Sequence, residues 1–205
     1  MTAPETTGGS DPATARRRDA AGTRRLLLDV ARRRFATNGY TATTVRDVTD
    51  EAGVNVALVS RYFTSKEGLF EACLTSTVAE FGPQASDAGA ADEDLAGVLA
   101  AQLAGPGGQE QSYKLLLLLR TSGDERAEQI RLDILDRFTD ALAAAAGHDP
   151  GDLRPDTRLR AEMLLCTLLG VALLRATTTL APLAGAGEAA LRDPLDDVVR
   201  ALLRT

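Results

Sequence analysis

The chain has 205 residues, of which 44% are hydrophobic and 25% charged, with a formal net charge of −6. That is the composition of a soluble globular protein with enough chain to bury a core. Leu and Ala dominate the apolar residues and the Val, Ile and aromatic runs of strands are missing, so the expected fold class is all-α.

Two cysteines, Cys73 and Cys166, each fall inside a helical pattern. Their separation suits neither a metal site nor a disulfide scaffold, and both read as reduced core thiols, with a redox sensor as the lesser alternative. No metal or cofactor is expected. The polar start MTAPETTGGSDPATA has no apolar segment, and the most apolar run, Met163 to Leu174, is too short to span a bilayer. A cytoplasmic location is the expectation. The charge is unevenly placed. Residues 16–34 hold eight Arg against Asp19 and Asp29, while the chain from Phe81 onward is net acidic. A basic segment on an acidic body fits either a solvated helix face or a contact with a polyanion.

Residues 1–15, rich in Thr, Gly, Pro and Ala, read as a disordered arm. A helix is expected from about Arg16 to Asn38, with Leu26, Leu27, Val30, Ala31 and Phe35 on one face and Asn38-Gly39 as its stop. Thr43 or Thr44 can cap a short helix over Val45–Ala52, ended by Gly53. Asn55 can cap a second, Val56–Phe63, and Ser65 a longer one, Lys66 to about Phe81. Further helices are expected over Asp92–Ala104, Ser112–Arg120, Asp124–Ala146, Arg158–Leu180 and Pro194–Arg204, about nine in all. The only histidine, His148, lies in a loop and reads as a solvated side chain. The expected organisation is a disordered arm (1–15), a helix-turn-helix unit (16–64), a connecting helix (65–82) and a helical body (83–205).

Helix, glycine turn, helix is a helix-turn-helix layout. Val59 and Phe63 are four apart, so they share a face that can pack on Val48 and Phe35. With that face inward, the second short helix presents Val56, Ala57, Ser60 and Arg61, a small surface of the kind that enters a major groove. Tyr62 and Lys66 flank it and can donate to phosphate, and Thr44 plays the same part at the other short helix. Arg16, Arg17 and Arg18 precede the expected first helix. They form either a solvated arm or one that follows phosphates into the minor groove.

The stretch LLLDVARRRFATNGYTATTVRDVTDEAGVNVALVSRYFTSKEGLFEACL carries an aromatic before NGY, then TTV-DV---AGV, then an aromatic-Phe pair and SKEGLF. This combination resembles the DNA-binding domain of TetR-family transcriptional regulators. The resemblance implies that Tyr62 and Lys66 contact phosphates, that Arg46 reaches a base or phosphate, and that Val56 to Ser60 lie over base edges. Many family members carry Thr and Tyr where this chain has Leu58 and Ser60. The reading surface here is therefore more apolar, and hydrogen-bonded readout falls to Arg46, Arg61 and Ser60.

The body after Phe81 shows no His-carboxylate-nucleophile set, phosphate loop or metal cluster, so an enzyme is not expected. Leu164, Leu168 and Val171 on one apolar helix, with Leu195, Val199 and Leu202 on the last, read as a homodimer interface in a four-helix bundle. TTTLAPLA resembles the close of the penultimate helix in a common C-terminal subclass of the family. The resemblance also implies a small-molecule cavity, with Leu99, Leu103, Tyr113, Leu116, Leu117, Arg120, Phe138, Met163 and Thr167 as lining and a mostly apolar ligand. The expected function is a ligand-released repressor, homodimeric on a pseudo-palindromic operator in double-stranded DNA. An activator or a ligand-independent DNA-binding protein of the same fold is the alternative.

Overall fold

The structure is a computed structural model that describes residues 12–81, 94–105, 109–120 and 123–204. The described residues contain nine α-helices and no strand. The first four are α1 (Pro12–Asn38), α2 (Val45–Ala52), α3 (Ala57–Phe63) and α4 (Lys66–Phe81). The others are α5 (Leu95–Ala104), α6 (Gln109–Leu119), α7 (Glu125–Ala145), α8 (Pro155–Thr177) and α9 (Glu188–Leu203).

Three rings join the ends of the N-terminal unit. Phe35 of α1, Tyr40 of the following turn and Phe70 of α4 are mutually packed, with centroids 5.6 Å (Phe35–Tyr40), 5.3 Å (Phe35–Phe70) and 4.9 Å (Tyr40–Phe70) apart. Val48, Val59 and Phe63 are buried beside this cluster, as the four-residue spacing requires. Gly53 ends α2 in the left-handed conformation, φ 65° and ψ 32°, which turns the chain into α3.

The caps are local chemistry. Asp94 and Asp124 accept from the backbone N–H three residues on, at Gly97 and Ala127. Thr44 rather than Thr43 caps α2. Thr43 is buried, and its hydroxyl donates to Gly39 O at 2.8 Å. Thr44 Oγ1 accepts from Asp47 N at 3.1 Å, while Asp47 Oδ2 accepts from Thr44 N at 2.8 Å, a reciprocal capping box.

Several expected boundaries move. Helix α1 begins at Pro12, so residues 12–15 are helical; residues 1–11 of the expected arm lie outside the described residues. Proline suits a first helical position, where its missing N–H costs nothing, and Ala13 and Ala15 favour helix. Arg16, Arg17 and Arg18 are therefore part of α1 and do not precede it. Helix α8 likewise starts three residues early, at Pro155, and ends at Thr177, so most of TTTLAPLA lies beyond it. Helix α9 starts six residues before Pro194 and runs through it. The added turns bury Leu191, which continues the inner face of Leu195, Val199 and Leu203.

The body does not place its leucines as expected for a dimer interface. Leu164, Leu168, Leu195 and Val199 are buried within the protomer, where α8, α9 and α5 pack together; Val171 and Leu202 are half-buried. Two single residues also differ from expectation. His148 is not merely solvated, because its Nε2 lies 2.8 Å from Leu203 O at the end of α9. Cys73 is buried, its thiol pushed up to about 12 by desolvation, but Cys166 is exposed. Among the described residues, no helix is long and apolar enough to cross a membrane.

Phe35 is 2% exposed and touches both other rings, so Phe35→Ala should cost about 3–5 kcal/mol in a denaturant titration. Three carboxyls of the N-terminal unit are held below their usual range: Asp47 first by the Thr44 hydroxyl, Glu51 first by Arg33, and Glu67 first by the Ser65 hydroxyl. A depressed carboxyl binds fewer protons folded than unfolded. Its stabilisation is therefore complete above the ordinary carboxylate range and fades as pH falls through the folded value. Thermal melts between pH 7 and pH 3 should show this loss, and Glu51→Gln should shrink its slope.

Candidate nucleic-acid interface

The arginines of α1 do not all face outward. Arg33 and Arg34 both grip the Glu51 carboxylate on α2. Arg32 is 6% exposed and donates to Asp29 Oδ1 at 2.9 Å and to Ser76 Oγ at 2.5 Å. Three of the eight arginines of the basic run, those nearest the helix-turn-helix, therefore tie α1 to α2 and α4. The Glu51 bridge has no local signal, since it links residues 17 and 18 apart in sequence.

The outward surface is smaller and lies on α2 and α3. Val56, Ala57, Ser60 and Arg61 are exposed together, and Arg46 is exposed on α2. Asn55 Oδ1 accepts from Ala57 N at 2.8 Å and starts α3. Leu58 is half-buried against the core, in keeping with packing. At the far end of α3 a tight turn follows, in which Ser65 N donates to Phe63 O at 2.8 Å. Ser65 Oγ then accepts from Gly68 N at 3.1 Å and caps α4.

Tyr62 and Lys66 flank this surface, and neither is a loose side chain. Tyr62 is half-buried, with the Arg61 guanidinium 5.8 Å from its ring centroid. Lys66 Nζ sits 4.1 Å from the centroid of the Tyr40 ring, a cation–π contact. Desolvation by that packing lowers the Lys66 pKa. The Tyr40 hydroxyl donates to Glu67 Oε1 at 3.1 Å, and burial together with this carboxylate raises the phenol's pKa.

Thr44 takes one of its two expected parts, the cap of α2. Its hydroxyl donates to Asp47 Oδ2 at 2.6 Å and its N–H to the same oxygen, so both of its donors serve the cap. The Thr44-x-x-Asp47 spacing is the sequence signal for that role. Tyr40 and Arg24 were not singled out as site residues from sequence. Tyr40 was legible only as part of NGY. Arg24 lies over the Phe63 ring at 5.1 Å, a contact between α1 and α3 with no local signature.

The nine residues expected to line a ligand cavity differ in exposure. Leu99, Leu103, Leu117 and Phe138 are buried core; Tyr113 and Thr167 are half-buried. Leu116 and Met163 are exposed. Arg120 points the other way, its Nη1 donating to Ala36 O at 2.9 Å and Thr37 O at 3.2 Å at the end of α1. A cleft of about 720 Å³ lies elsewhere, at the junction of α1, α3, α4 and α7, between Arg24, Tyr62, Glu67, Glu71 and Arg126.

Known proteins resemble this chain in the helix-turn-helix segment and in fold. The sequence profile described as "Bacterial regulatory proteins, tetR family" matches residues 27–73. The HTH-type transcriptional repressor KstR2 of Rhodococcus jostii (strain RHA1) is 43% identical over 54 residues, 26% of this chain and 26% of that protein. The chain thus aligns with about a quarter of that relative's length. The crystal structure of NalD, the secondary repressor of the MexAB-OprM multidrug efflux pump in Pseudomonas aeruginosa, superposes with a TM-score of 0.59 at 18% identity, covering 90% of this chain and 98% of that one. A transcriptional regulator from Saccharomonospora viridis in complex with choline gives 0.52 at 20% identity, covering 88% and 96%. These two likenesses are of fold. Residues 27–73 are thus similar to the helix-turn-helix unit of the tetR family of bacterial regulatory proteins.

Proposed function

We propose that this protein is a homodimeric, sequence-specific DNA-binding repressor that a small-molecule effector releases from a pseudo-palindromic operator. The observation that carries the reading is the exposed set Arg46, Val56, Ala57, Ser60 and Arg61, bordered by the anchored Tyr62 and Lys66. Tyr62 and Lys66 take phosphates and set the register. Arg46, Ser60 and Arg61 supply hydrogen bonds to base edges, and Val56 and Ala57 meet thymine methyls. Thr44 contributes through α2, whose N-terminus it caps. The helix-turn-helix match to a repressor, KstR2, supports the repressor sense.

Dimerisation is supported by a stripe on α8 that the protomer leaves uncovered. Leu159, Met163 and Leu174 are 55%, 51% and 41% exposed, and Cys166 and Gly170 fall between them at helical spacing. This stripe, opposite Leu164 and Leu168, is the dimer face, with the half-buried Val171 and Leu202 at its margin. Two recognition helices then stand about one DNA turn apart, roughly 34–36 Å. The effector acts by binding unequally to states with different separations. An effector site between α5, α6, α7 and α8 requires the buried Leu99, Leu103, Leu117 and Phe138 to part, with Tyr113 at its edge. The choline complex of the Saccharomonospora viridis regulator supports small-molecule binding by a body of this fold.

Gel shift against DNA selected by the protein from genomic fragments tests the reading, and absence of any site-specific complex at low salt would sink it. Lys66→Ala should weaken binding across sequences and lower the slope of log affinity against log salt by about one per protomer. Arg61→Ala should instead cost about 1–3 kcal/mol at one base position and relax specificity there. Met163→Glu should give a folded monomer in sedimentation with much weaker operator binding.

A further inference from the structure

We infer that Arg120 of the body is a positioning residue for Lys66, acting through the C-terminus of α1 and the ring of Tyr40. The inference rests on the DNA-binding reading and adds to it a route by which the body governs the phosphate contact. Four observations meet in one place. The Arg120 guanidinium donates to Ala36 O and Thr37 O, two of the carbonyls that the end of a helix leaves unpaired. A cation there also opposes the negative end of the helix dipole. Gly39 follows with φ 88°, and a Cβ built on it would lie 3.6 Å from Arg120 Nη2, so the turn passes directly under the guanidinium. The next residue is Tyr40, whose ring is fixed between Phe35 and Phe70 and carries the Lys66 ammonium 4.1 Å from its centroid.

The other end of the same body segment closes on the same place. Asp124, which caps α7, acts electrostatically on both Tyr40 and Lys66. Arg120, just past the end of α6, therefore bonds the α1 end, and the Asp124 charge at the start of α7 acts on the Tyr40–Lys66 pair. Tyr40 also bonds Glu67, so its ring and hydroxyl both bear on the first turn of α4. A change in the body that withdraws Arg120 releases the α1 carbonyls, lets the Tyr40 turn shift and removes the platform that aims Lys66. Specific affinity then falls although no group that touches DNA has changed.

The test is a salt titration of full-length protein on a duplex that it selects from random-sequence DNA, with Arg120→Ala, Lys66→Ala and the double variant. Arg120→Ala is expected to lower the slope of log affinity against log salt by about one per protomer, as Lys66→Ala does. The double variant is expected to lose no more than Lys66→Ala alone. Arg120→Lys, which can still donate to a carbonyl, is expected to recover part of the slope. A purely structural arginine would lower the melting temperature and leave the slope unchanged. That result, or losses that add in the double variant, would overturn the inference while leaving DNA binding intact. If Arg120→Ala does not fold, Arg120→Gln, too short to reach both carbonyls, takes its place, and a wild-type slope there overturns the inference equally. Wild-type protein that selects no sequence would overturn the DNA-binding reading and the inference with it.

Discussion

The packing of Tyr40 between Phe35 and Phe70 is the contact on which the N-terminal unit depends. Phe35 closes α1 and Phe70 lies in α4, so one aromatic cluster sets the angle between the long first helix and the helix that leads into the body. Aromatic pairs of this kind contribute about 0.5–1.5 kcal/mol each beyond the area they bury. The two short helices could not hold their places alone, since segments of this length are unstable in water. They hang on this frame through Val48, Val59 and Phe63. The site is precise because its own helices are small and its support is not.

Charge is used in two ways. Glu51 takes up Arg33 and Arg34, and Asp29 with Ser76 takes up Arg32, so these guanidiniums join helices. Surface ion pairs are individually weak, but planar, multiply bonded ones define geometry well. Arg46 and Arg61 face outward near α3 with Val56, Ala57 and Ser60, Lys66 is half-buried at their border, and the exposed Arg24 lies over Phe63. Lys66 is held by a ring and not by a carboxylate. A ring orients the ammonium without neutralising it, so its charge stays available to an anion.

The body follows the same division between inner and outer faces. The middle of helix α8 is apolar nearly all round, and a segment of that type is buried on more than one side. Within the protomer it is covered on the Leu164, Leu165, Leu168 and Ala172 side. Leu159, Met163 and Leu174 stay open on the other, and an uncovered apolar stripe of that length fits a protein surface better than water. The lone histidine and one cysteine also find their places here: His148 against the last carbonyls of α9, Cys166 within the open stripe.

Much of this protein was legible in its sequence, because the signals involved are local. Spacing of apolar residues placed the helices; Gly53, Asn55 and Ser65 marked the turns; and Val59 with Phe63 marked the buried face of α3. The exposed set on α3 followed by subtraction from that face. Helix ends were less legible, since Pro12 and Pro194 obey opposite rules, one starting a helix and the other lying within one. What only the tertiary structure decided are the pairings between distant segments. Which side of α8 is inner depends on α6, α7 and α9, so Leu164 and Met163 could not be told apart by hydrophobicity. That Arg120 reaches the end of α1, 84 residues away from Ala36, has no trace in either local pattern. A side chain's type is set by its codon, but its partner is set by how the helices cross, and crossing is a property of the packed whole.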